Sequence, residues 1–533
     1  MNSEPPTQPD RRDEESTLEH ARREKLRRFR DELGVEPFGR RVDGIIPLAR
    51  ARSLFDAAAN ERYERSKAIA KGNPAAAIED GRPRALVAGR CIQHRAMGKL
   101  VFLVLRDDSG DLQISISKAN VDERSFKLAE KLDYGDIAVA GGPVGATQKG
   151  EICIWADRFE LHCKSLAPPP EKFHGLTDAE LRYRHRYVDM YTNPQTVRTF
   201  AMRSQIVSEI RAFMNARGFL EVETPMMQPL AGGAAARPFI THHNALDIDL
   251  YLRIAPELYL KRLLVGGLPK VYEINRNFRN EGVDRQHNPE FTMMEVYEAF
   301  GDCETMLELT ESLINNLASF IAITANNKQQ TRNDTLRLPF GDLAIDYARP
   351  FDRISYEDLF QLGTGFSMFD RDRVRVRARD LHVEYADRLD HWLLVEHLFE
   401  RHAEGKLDPA KPTFVTDMPA AISPLARQHA GNPELSHRWE LFIAGMEIAN
   451  SFTELNDPDV QLQRFGEQLA GANEEARAIR ALDHDFIHAL RVGMPPAGGL
   501  GLGIDRVVML LTNQTSIRDV ILFPLLRPEK ATE

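Results

Sequence analysis

The chain has 533 residues, of which 43% are hydrophobic, and its formal net charge is −10. This length exceeds one ordinary core and predicts two or three domains. The acidic total excludes a protein coated in positive charge, but a local basic stripe could still bind nucleic acid. The four cysteines are far apart, which argues against a disulfide framework or a zinc site. No apolar run approaches a membrane span, so we expect a soluble, cytoplasmic protein.

Residues 1–80 are predicted to form a polar tail and a helical extension. Residues 1–16 are charged and expected to be disordered. Helical spacing follows from Thr17 to Leu33, and Gly34 is expected to end the helix. Residues 21–30 hold six basic side chains and one acidic one. Such a segment is usually a solvated amphipathic helix, and the alternative is a basic helix that lies on RNA phosphates.

Residues 81–166 are predicted to form a small all-β barrel. Short apolar and β-branched runs alternate there with turns that contain Gly and Asp. About five strands in this length favour an OB-fold, whose sheet face binds single-stranded nucleic acid, although any small β domain has similar spacing. Residues 167–192 begin with a Pro run, continue as a basic, aromatic stretch, and are interpreted as a linker.

Residues 193–533 are predicted to form a larger domain. The sequence contains no G-x-x-x-x-G-K-[ST], which excludes a P-loop, and the Gly-rich run 498–506 does not fit a dinucleotide-binding fingerprint. Residues 203–227 are predicted to form a helix that ends at Gly218 and a strand that follows it. An ordinary helix–strand unit explains that segment without any chemistry.

Residues 275–300 are predicted to form two strands around a polar loop. Because side chains alternate across a sheet, one face of the second strand should carry Phe291, Met293, Glu295 and Tyr297. The preceding loop holds a dense polar cluster made of Arg279, Glu281, His287 and Asn288. A solvated hairpin loop would explain one or two such residues, but it does not explain a cluster of this density.

Residues 439–457 and 498–511 form the third group of interest. Asn450, Phe452 and Glu454 alternate onto one predicted strand face. Glu440 and Glu447 lie on either side of Gly445, where a bend could bring both carboxylates together, and paired carboxylates suit Mg²⁺. Arg506 lies where a Gly-rich run becomes a helix, a position that favours phosphate, although a surface salt bridge would also explain a lone Arg.

These three segments resemble motifs 1, 2 and 3 of the class II aminoacyl-tRNA synthetases. Over roughly residues 20–530 the sequence is similar to the bacterial-type class II lysyl-tRNA synthetases. The resemblance is carried by RIAPELYLKRLLVGGLPKVYEINRNFRNEG, HNPEFTMMEVY, EIANSFTELND, GLGLGIDRVVMLLTNQTSIRDVILFP and GGAAARPF. It implies an α+β catalytic domain on a mixed, mainly antiparallel sheet, preceded by an all-β OB-fold barrel that binds the anticodon. It also implies a homodimer formed largely through motif 1.

The resemblance further implies a two-step reaction: lysine reacts with ATP to give lysyl-adenylate and pyrophosphate, and the lysyl group then passes to tRNA(Lys). The expected catalytic residues are Arg279 and Arg506. The residues expected to bind ATP are Arg279, Glu281, His287, Asn288, Phe291, Glu440, Glu447 and Arg506, with Mg²⁺ on Glu440 and Glu447. The residues expected to bind lysine are Gly233, Glu257, Arg279, Glu295, Tyr297, Asn450, Phe452 and Glu454. The residues expected to contact the anticodon are Phe102, Gln113 and Glu151.

The proposed lysine pocket also agrees with elementary electrostatics, because a buried ammonium group requires carboxylate partners. Three alternative functions fit less well. A paralogue that modifies proteins would resemble the catalytic half only, and a lipid-lysylating fusion would need membrane spans. A catalytically inactive RNA-binding protein would have lost ATP-site residues, all of which are present. The H-I-G-H and K-M-S-K-S signatures of class I lysyl synthetases are absent.

Overall fold

The computed structural model describes residues 17–73, 77–168, 176–234, 236–324, 336–471 and 482–528. Its contacts divide the chain into two compact units, Met1–Arg198 and Thr199–Glu533. The segment predicted to be disordered, residues 1–16, lies outside the described residues, as does part of the predicted linker, residues 169–175. None of the described helices is long and apolar enough to cross a membrane.

The first unit consists of a β-barrel with helices around it. Its elements are α1 (Thr17–Asp31), α2 (Leu48–Ser53), α3 (Ala57–Gly72), β1 (Arg84–Met97), β2 (Leu100–Asp107), β3 (Gly110–Ser117), α4 (Glu123–Glu130), β4 (Ile137–Ala146), β5 (Ile152–Ala156), β6 (Arg158–Cys163), α5 (Ala179–Arg184) and α6 (Arg186–Thr192). The described end of the predicted linker is therefore helical, and Asp178 begins α5 by accepting a hydrogen bond from the Leu181 backbone N–H.

In the described part of this unit, five strands close into a ring in the order β1-β2-β3-β5-β4, and β4 pairs back with β1. β3 and β5 run parallel, whereas the other pairs of the ring are antiparallel. Alternate residues of β2, namely Val101, Leu103 and Leu105, are fully buried in the interior because successive side chains of a strand point to opposite faces. The small barrel predicted from the sequence is confirmed.

Helix α1 begins at Thr17, as predicted, and ends at Asp31, two residues before the predicted Leu33; Gly34 follows with φ +56°. Phe29 is buried in the same core as the barrel strands. Several of the basic side chains of α1 have acidic partners: Arg23 pairs with Glu19, and Lys25 lies 2.5 Å from an Asp133 carboxylate oxygen. These contacts favour the interpretation of α1 as an amphipathic helix that packs on the barrel.

The second unit is larger and is built on one extended sheet. Its elements are α7 (Pro194–Ala216, which begins in the first unit), β7 (Leu220–Glu221), β8 (Met227–Gln228), β9 (Ile240–His243), β10 (Ile248–Leu252), α8 (Glu257–Val265), β11 (Lys270–Phe278), β12 (Glu290–Ala299), α9 (Cys303–Thr324), β13 (Arg337–Phe340), β14 (Leu343–Asp346), β15 (Asp352–Ser355), α10 (Tyr356–Thr364), α11 (Arg371–Asp380), α12 (His391–His402), β16 (Thr413–Thr416), β17 (Arg438–Ile443), β18 (Met446–Thr453), α13 (Pro458–Gly471), α14 (His484–Gly493), β19 (Ala497–Leu502), α15 (Ile504–Leu511) and α16 (Ile517–Val520).

Eight of the described strands form this sheet in the order β15-β16-β17-β18-β19-β12-β11-β7. β15–β16 and β11–β7 are parallel, and the other neighbours are antiparallel, which confirms the predicted mixed, mainly antiparallel sheet. Met294 and Val296 of β12 point into the core together with α7, α9 and α15. The intervening residues of β12 therefore point to the opposite face, where the functional cavity lies.

Candidate functional site

A cavity of about 1090 Å³ lies on the sheet face opposite the α7–α9 core. Its floor includes β19, which runs between β12 and β18. Gly501 is the register partner of Glu295 on one side and of Asn450 on the other, and Gly499 likewise pairs with Tyr297 and Phe452. Because the central strand carries no side chains at these two positions, the neighbouring strands can direct theirs into the cavity.

The residues expected to bind ATP and lysine come together at this cavity. Those that line it are Gly233, Glu257, Arg279, Glu281, His287, Asn288, Phe291, Glu295, Tyr297, Glu440, Glu447, Asn450, Phe452 and Arg506. Glu454 does not line it, although it lies directly behind the wall that includes Gly499. The residues expected to bind ATP and lysine therefore form one cluster in space, and of these only Glu454 does not reach the cavity surface.

Arg279 follows β11 and is held by its backbone, whose N–H donates to the Pro289 carbonyl oxygen over 2.8 Å. Its guanidinium carbon lies 5.2 Å from the centre of the Phe291 ring, a cation–π distance. The Nε atom of Arg279 is buried and has no hydrogen-bond partner. A buried donor without a partner is unfavourable, so the site suits an anionic ligand that would complete it.

His287 connects the loop between β11 and β12 to helix α15. Its Nδ1 lies 2.8 Å from a carboxylate oxygen of Asp284, and its Nε2 lies 3.2 Å from the Arg506 Nη2. Because an Arg N–H can only donate, Nε2 accepts from Arg506 and Nδ1 donates to Asp284. Arg506 lies in the first turn of α15, where the positive end of the helix dipole favours anions.

The predicted bend between Glu440 and Glu447 is present. β17 and β18 form a hairpin whose turn residues, Ala444 and Gly445, both have positive φ. Glu440 is largely buried, and burial raises the pKa of its carboxyl to about 7, assisted by the negative charge of Glu447. Arg438 opposes that rise through a hydrogen bond of 2.5 Å from its Nη2 to the Glu440 Oε1.

Two further acids form the recess expected to receive lysine. Glu257 begins α8, and Glu295 lies on β12 with a carboxylate oxygen 3.3 Å from the Tyr297 hydroxyl. Burial raises the pKa of Glu295 well above its ordinary value, and the nearby carboxylate of Glu257 raises it further. A cation bound in this recess would offset both effects, because it favours the ionised carboxylate.

Sequence reasoning missed two cations at this site. Lys261, on α8, is fully buried and contacts the carboxylates of Glu257 and Glu454. Arg438 lines the cavity and lies 5.4 Å from the centre of the Phe452 ring. The spacing of Glu257 and Lys261, four residues apart on one helix, could have indicated the first pair. The contact with Glu454 has no signal in the local sequence.

The three residues expected to contact an anticodon lie on or beside strands of the barrel. Phe102 and Gln113 are half-buried on β2 and β3, and each lies on the outward-facing set of alternating residues. Gln113 is the register partner of Val104, which places it diagonally next to Phe102. Glu151 immediately precedes β5 and lies 3.2 Å from the Arg52 guanidinium.

Comparisons with known proteins define the class of the molecule. A family described as "tRNA synthetases class II (D, K and N)" matches residues 178–527, and one described as "OB-fold nucleic acid binding domain" matches residues 85–168. These matches cover both compact units and confirm the predicted OB-fold and class II catalytic domain.

Individual relatives narrow the class further. The chain is 52% identical to the lysine–tRNA ligase of Carboxydothermus hydrogenoformans over 448 residues, which are 83% of this chain and 88% of the relative. It is 47% identical to that of Pelotomaculum thermopropionicum over 98% of this chain and 97% of the relative. It is 44% identical to that of Escherichia coli K12 over 96% of each chain. The chain belongs to the family of class II lysine–tRNA ligases.

Proposed function

We propose that this protein is the enzyme that joins lysine to tRNA(Lys). It activates L-lysine with ATP to form lysyl-adenylate and pyrophosphate, and it then transfers the lysyl group to the 3′-terminal ribose of the tRNA. The observation that carries this proposal is the charge pattern of one cavity, which combines the acids Glu257 and Glu295 with the arginines 279 and 506. An ammonium side chain suits the acids, and the phosphates of ATP suit the arginines.

In the first step, a carboxylate oxygen of lysine attacks the α-phosphorus of ATP and the bond to pyrophosphate breaks. Arg279 bridges the two reacting groups, because its guanidinium can donate to the lysine carboxylate and to the α-phosphate together. No side chain needs to act as a nucleophile. The residues position the reactants and stabilise the charge that develops at phosphorus.

Phe291 stacks on the adenine ring, and its 5.2 Å contact with Arg279 sets the distance between the base and the α-phosphate. Glu281, His287 and Asn288 provide polar contacts to ATP, while Arg506 donates to the γ-phosphate. The hydrogen bond between His287 and Arg506 holds the two sides of this phosphate site together. The lysine α-ammonium binds near Glu257 and the backbone of Gly233, with Asn450 and Phe452 forming the wall of the pocket.

Glu440 and Glu447 fit Mg²⁺. The elevated pKa of Glu440, caused by burial and by Glu447, marks a carboxylate pair that a divalent cation would stabilise in its ionised form. In the described residues no group of three or more His, Cys, Asp or Glu is arranged to hold a metal, so phosphate and water oxygens would complete the coordination. Bound Mg²⁺ would neutralise charge on the ATP phosphates.

The second step requires tRNA, and we assign its anticodon to the barrel face that carries Phe102, Gln113 and Glu151. A half-buried, outward-facing aromatic side chain near an amide and a carboxylate can stack on one base and form hydrogen bonds with others. The terminal ribose hydroxyl of the tRNA attacks the carbonyl carbon of lysyl-adenylate, and AMP leaves. Because this product serves translation, we assign the enzyme to the cytoplasm.

We further propose a homodimer formed through the segment that follows α7. This segment exposes large apolar side chains, namely Leu220, Met226, Met227, Ile240 and Ile248. Exposed apolar clusters of this kind mark association surfaces more often than they remain in contact with water. Sedimentation at micromolar concentration should give the mass of two chains, and the mass of one chain would contradict the proposal.

The first experiment is ATP–pyrophosphate exchange with each of the twenty amino acids in turn, without tRNA. We expect exchange with lysine alone. The group of synthetases that matches this chain also includes aspartate and asparagine members, and a buried acidic recess would repel the side chain of aspartate. Exchange with another amino acid would show that the pocket is misassigned, and exchange with none would favour a protein without catalytic activity.

A further inference from the structure

Behind the wall of the lysine recess lies a second, internal ammonium group. Lys261 is fully buried, and its Nζ lies 2.6 Å from the Glu257 Oε1 and also contacts the carboxylate of Glu454. Burial alone would lower the pKa of Lys261, but the two carboxylates outweigh burial and raise it, so the side chain is charged. Water does not solvate an ion pair at this depth, so the pair is stable only because its charged atoms lie close together.

The groups around this ammonium come from three elements. Glu257 lies on the same helix as Lys261, α8, while Glu295 and Tyr297 of β12 lie near Glu257. Glu454 follows β18, and in the described residues its ion-pair partner is Lys261. Of these groups, Glu257, Glu295 and Tyr297 line the cavity and Glu454 does not. The recess that would receive substrate therefore shares one of its carboxylates, Glu257, with Lys261.

Glu454 is fixed from the opposite side by the backbone of β19. A Cβ atom built on Gly499 would lie 1.9 Å from the Glu454 Oε1 and 2.7 Å from the Tyr297 Cε1. The carboxylate is thus confined between Lys261 and a strand that has no side chain at this point. It lies close enough to act electrostatically on the cavity wall, which includes Tyr297 and Gly499.

We propose that Lys261 is a positioning residue for recognition of lysine, which holds the carboxylates of Glu257 and Glu454 in place so that the pocket is fully ionised when lysine binds. The inference rests on the lysine pocket proposed above. With lysine bound and all three carboxyls ionised, the three carboxylates and the Lys261 ammonium give an excess of two negative charges, which matches the two ammonium groups of the substrate, while the substrate carboxylate faces Arg279. This excess of negative charge favours lysine over amino acids that carry only one ammonium group.

Removal of Lys261 would change the protonation of this pocket in a definite direction. The Lys261 ammonium lowers the pKa of Glu454, against burial and Glu257, which raise it. Without Lys261, a carboxyl of the pocket would stay protonated to higher pH, and lysine would have to displace that proton. Binding of lysine should therefore weaken most at low pH and recover as the pH rises.

The test is lysine-dependent ATP–pyrophosphate exchange by the full chain carrying Lys261→Met, measured from about pH 6.5 to about pH 9. We expect the KM for lysine to rise at least about tenfold near pH 7. The KM should fall again as the pH is raised, at a pH about one unit or more above that of the unaltered enzyme. The rate at saturating lysine and the KM for ATP should change little. Lys270→Met is the matched control. Lys270 on β11 also forms an ion pair, with Glu298 on β12, but neither residue lines the cavity.

If Lys261→Met does not fold, Lys261→Arg keeps the positive charge beside Glu257 and Glu454 and tests the same point. It should give a KM profile at the same pH as the unaltered enzyme. Profiles of Lys261→Met that run parallel to the unaltered enzyme, or a profile of Lys261→Arg displaced to higher pH, would overturn the inference. Glu295→Gln separates the two proposals: an unchanged KM for lysine there would refute the pocket itself, whereas a raised KM would leave only the role of Lys261 in question.

Discussion

The side chain of Arg279 combines two properties at the scale of a single residue. Its backbone is fixed by the Pro289 carbonyl, and its guanidinium faces the cavity with a buried, unpartnered Nε. A fixed donor that lacks a partner in the free protein can be completed by a developing negative charge without rearrangement of the site. This is why we place the transfer at phosphorus next to Arg279.

We expect Arg279→Ala to lower lysine-dependent pyrophosphate exchange by about 10²–10³-fold or more, because the transition state loses its charge partner. The mass of the assembly and the unfolding temperature should change little. Arg276→Ala is the control for the exchange rate, because Arg276 lies on β11, the strand that Arg279 follows, but outside the cavity, where it pairs with Glu290. Near-normal exchange by Arg279→Ala would remove Arg279 from the mechanism.

At the scale of the element, strand β19 shows how a strand can act through the side chains that it lacks. It supplies the backbone hydrogen bonds between β12 and β18, and at Gly499 and Gly501 it leaves space above the sheet. The two glycines differ in what surrounds them. The nearest atom to a Cβ on Gly501 would be the flexible end of Met293, at 3.2 Å, whereas Gly499 faces the confined Glu454.

Gly499→Ala should therefore raise the KM for lysine at least about tenfold. The added methyl group would displace the Glu454 carboxylate and change the pKa values of the pocket by roughly one unit or more. Gly501→Ala should have a smaller effect, since the Met293 methyl group can move. Steady-state exchange at varied lysine concentration measures both. Equal effects of the two substitutions would show that Glu454 is not held by β19 in the way the contacts indicate.

At the scale of the whole molecule, the chain places the predicted chemistry and the predicted anticodon contacts in separate compact units. The cavity belongs entirely to the second unit, and Phe102 lies on the barrel of the first. Under the proposed function, lysine is activated in the second unit and the barrel contacts the anticodon. Substitutions on the barrel face should therefore affect one activity and spare the other.

Phe102→Ala should weaken aminoacylation of tRNA through a higher KM for tRNA, by about one to three kcal/mol of lost stacking, and should leave lysine-dependent pyrophosphate exchange unchanged. Ile69→Ala is a suitable control, because Ile69 is an exposed apolar residue on α3 of the same unit. Equal loss of both activities in Phe102→Ala would count against the assignment of the anticodon face.

Much of the architecture follows from patterns within short stretches of sequence. The alternation from Phe291 to Tyr297 was sufficient to predict which side chains share a face of β12, because the strand period is two whatever the neighbours are. The turn at Gly445 was also predicted, and Glu440 and Glu447 on either side of it both line the cavity. The short runs of residues 81–166 predicted a barrel, although the helix α4 between β3 and β4 was not anticipated.

The sequence by itself determined the class of fold, the family and many of the residues around the cavity, because motifs and strand periodicity are local properties of the chain. The tertiary structure alone decided that Glu454 lies behind the cavity wall, that Lys261 pairs with it, and that Gly499 confines it. These contacts join α8, β19 and the end of β18. They depend on the register between strands that are distant in the chain, and no local pattern of residues specifies that register.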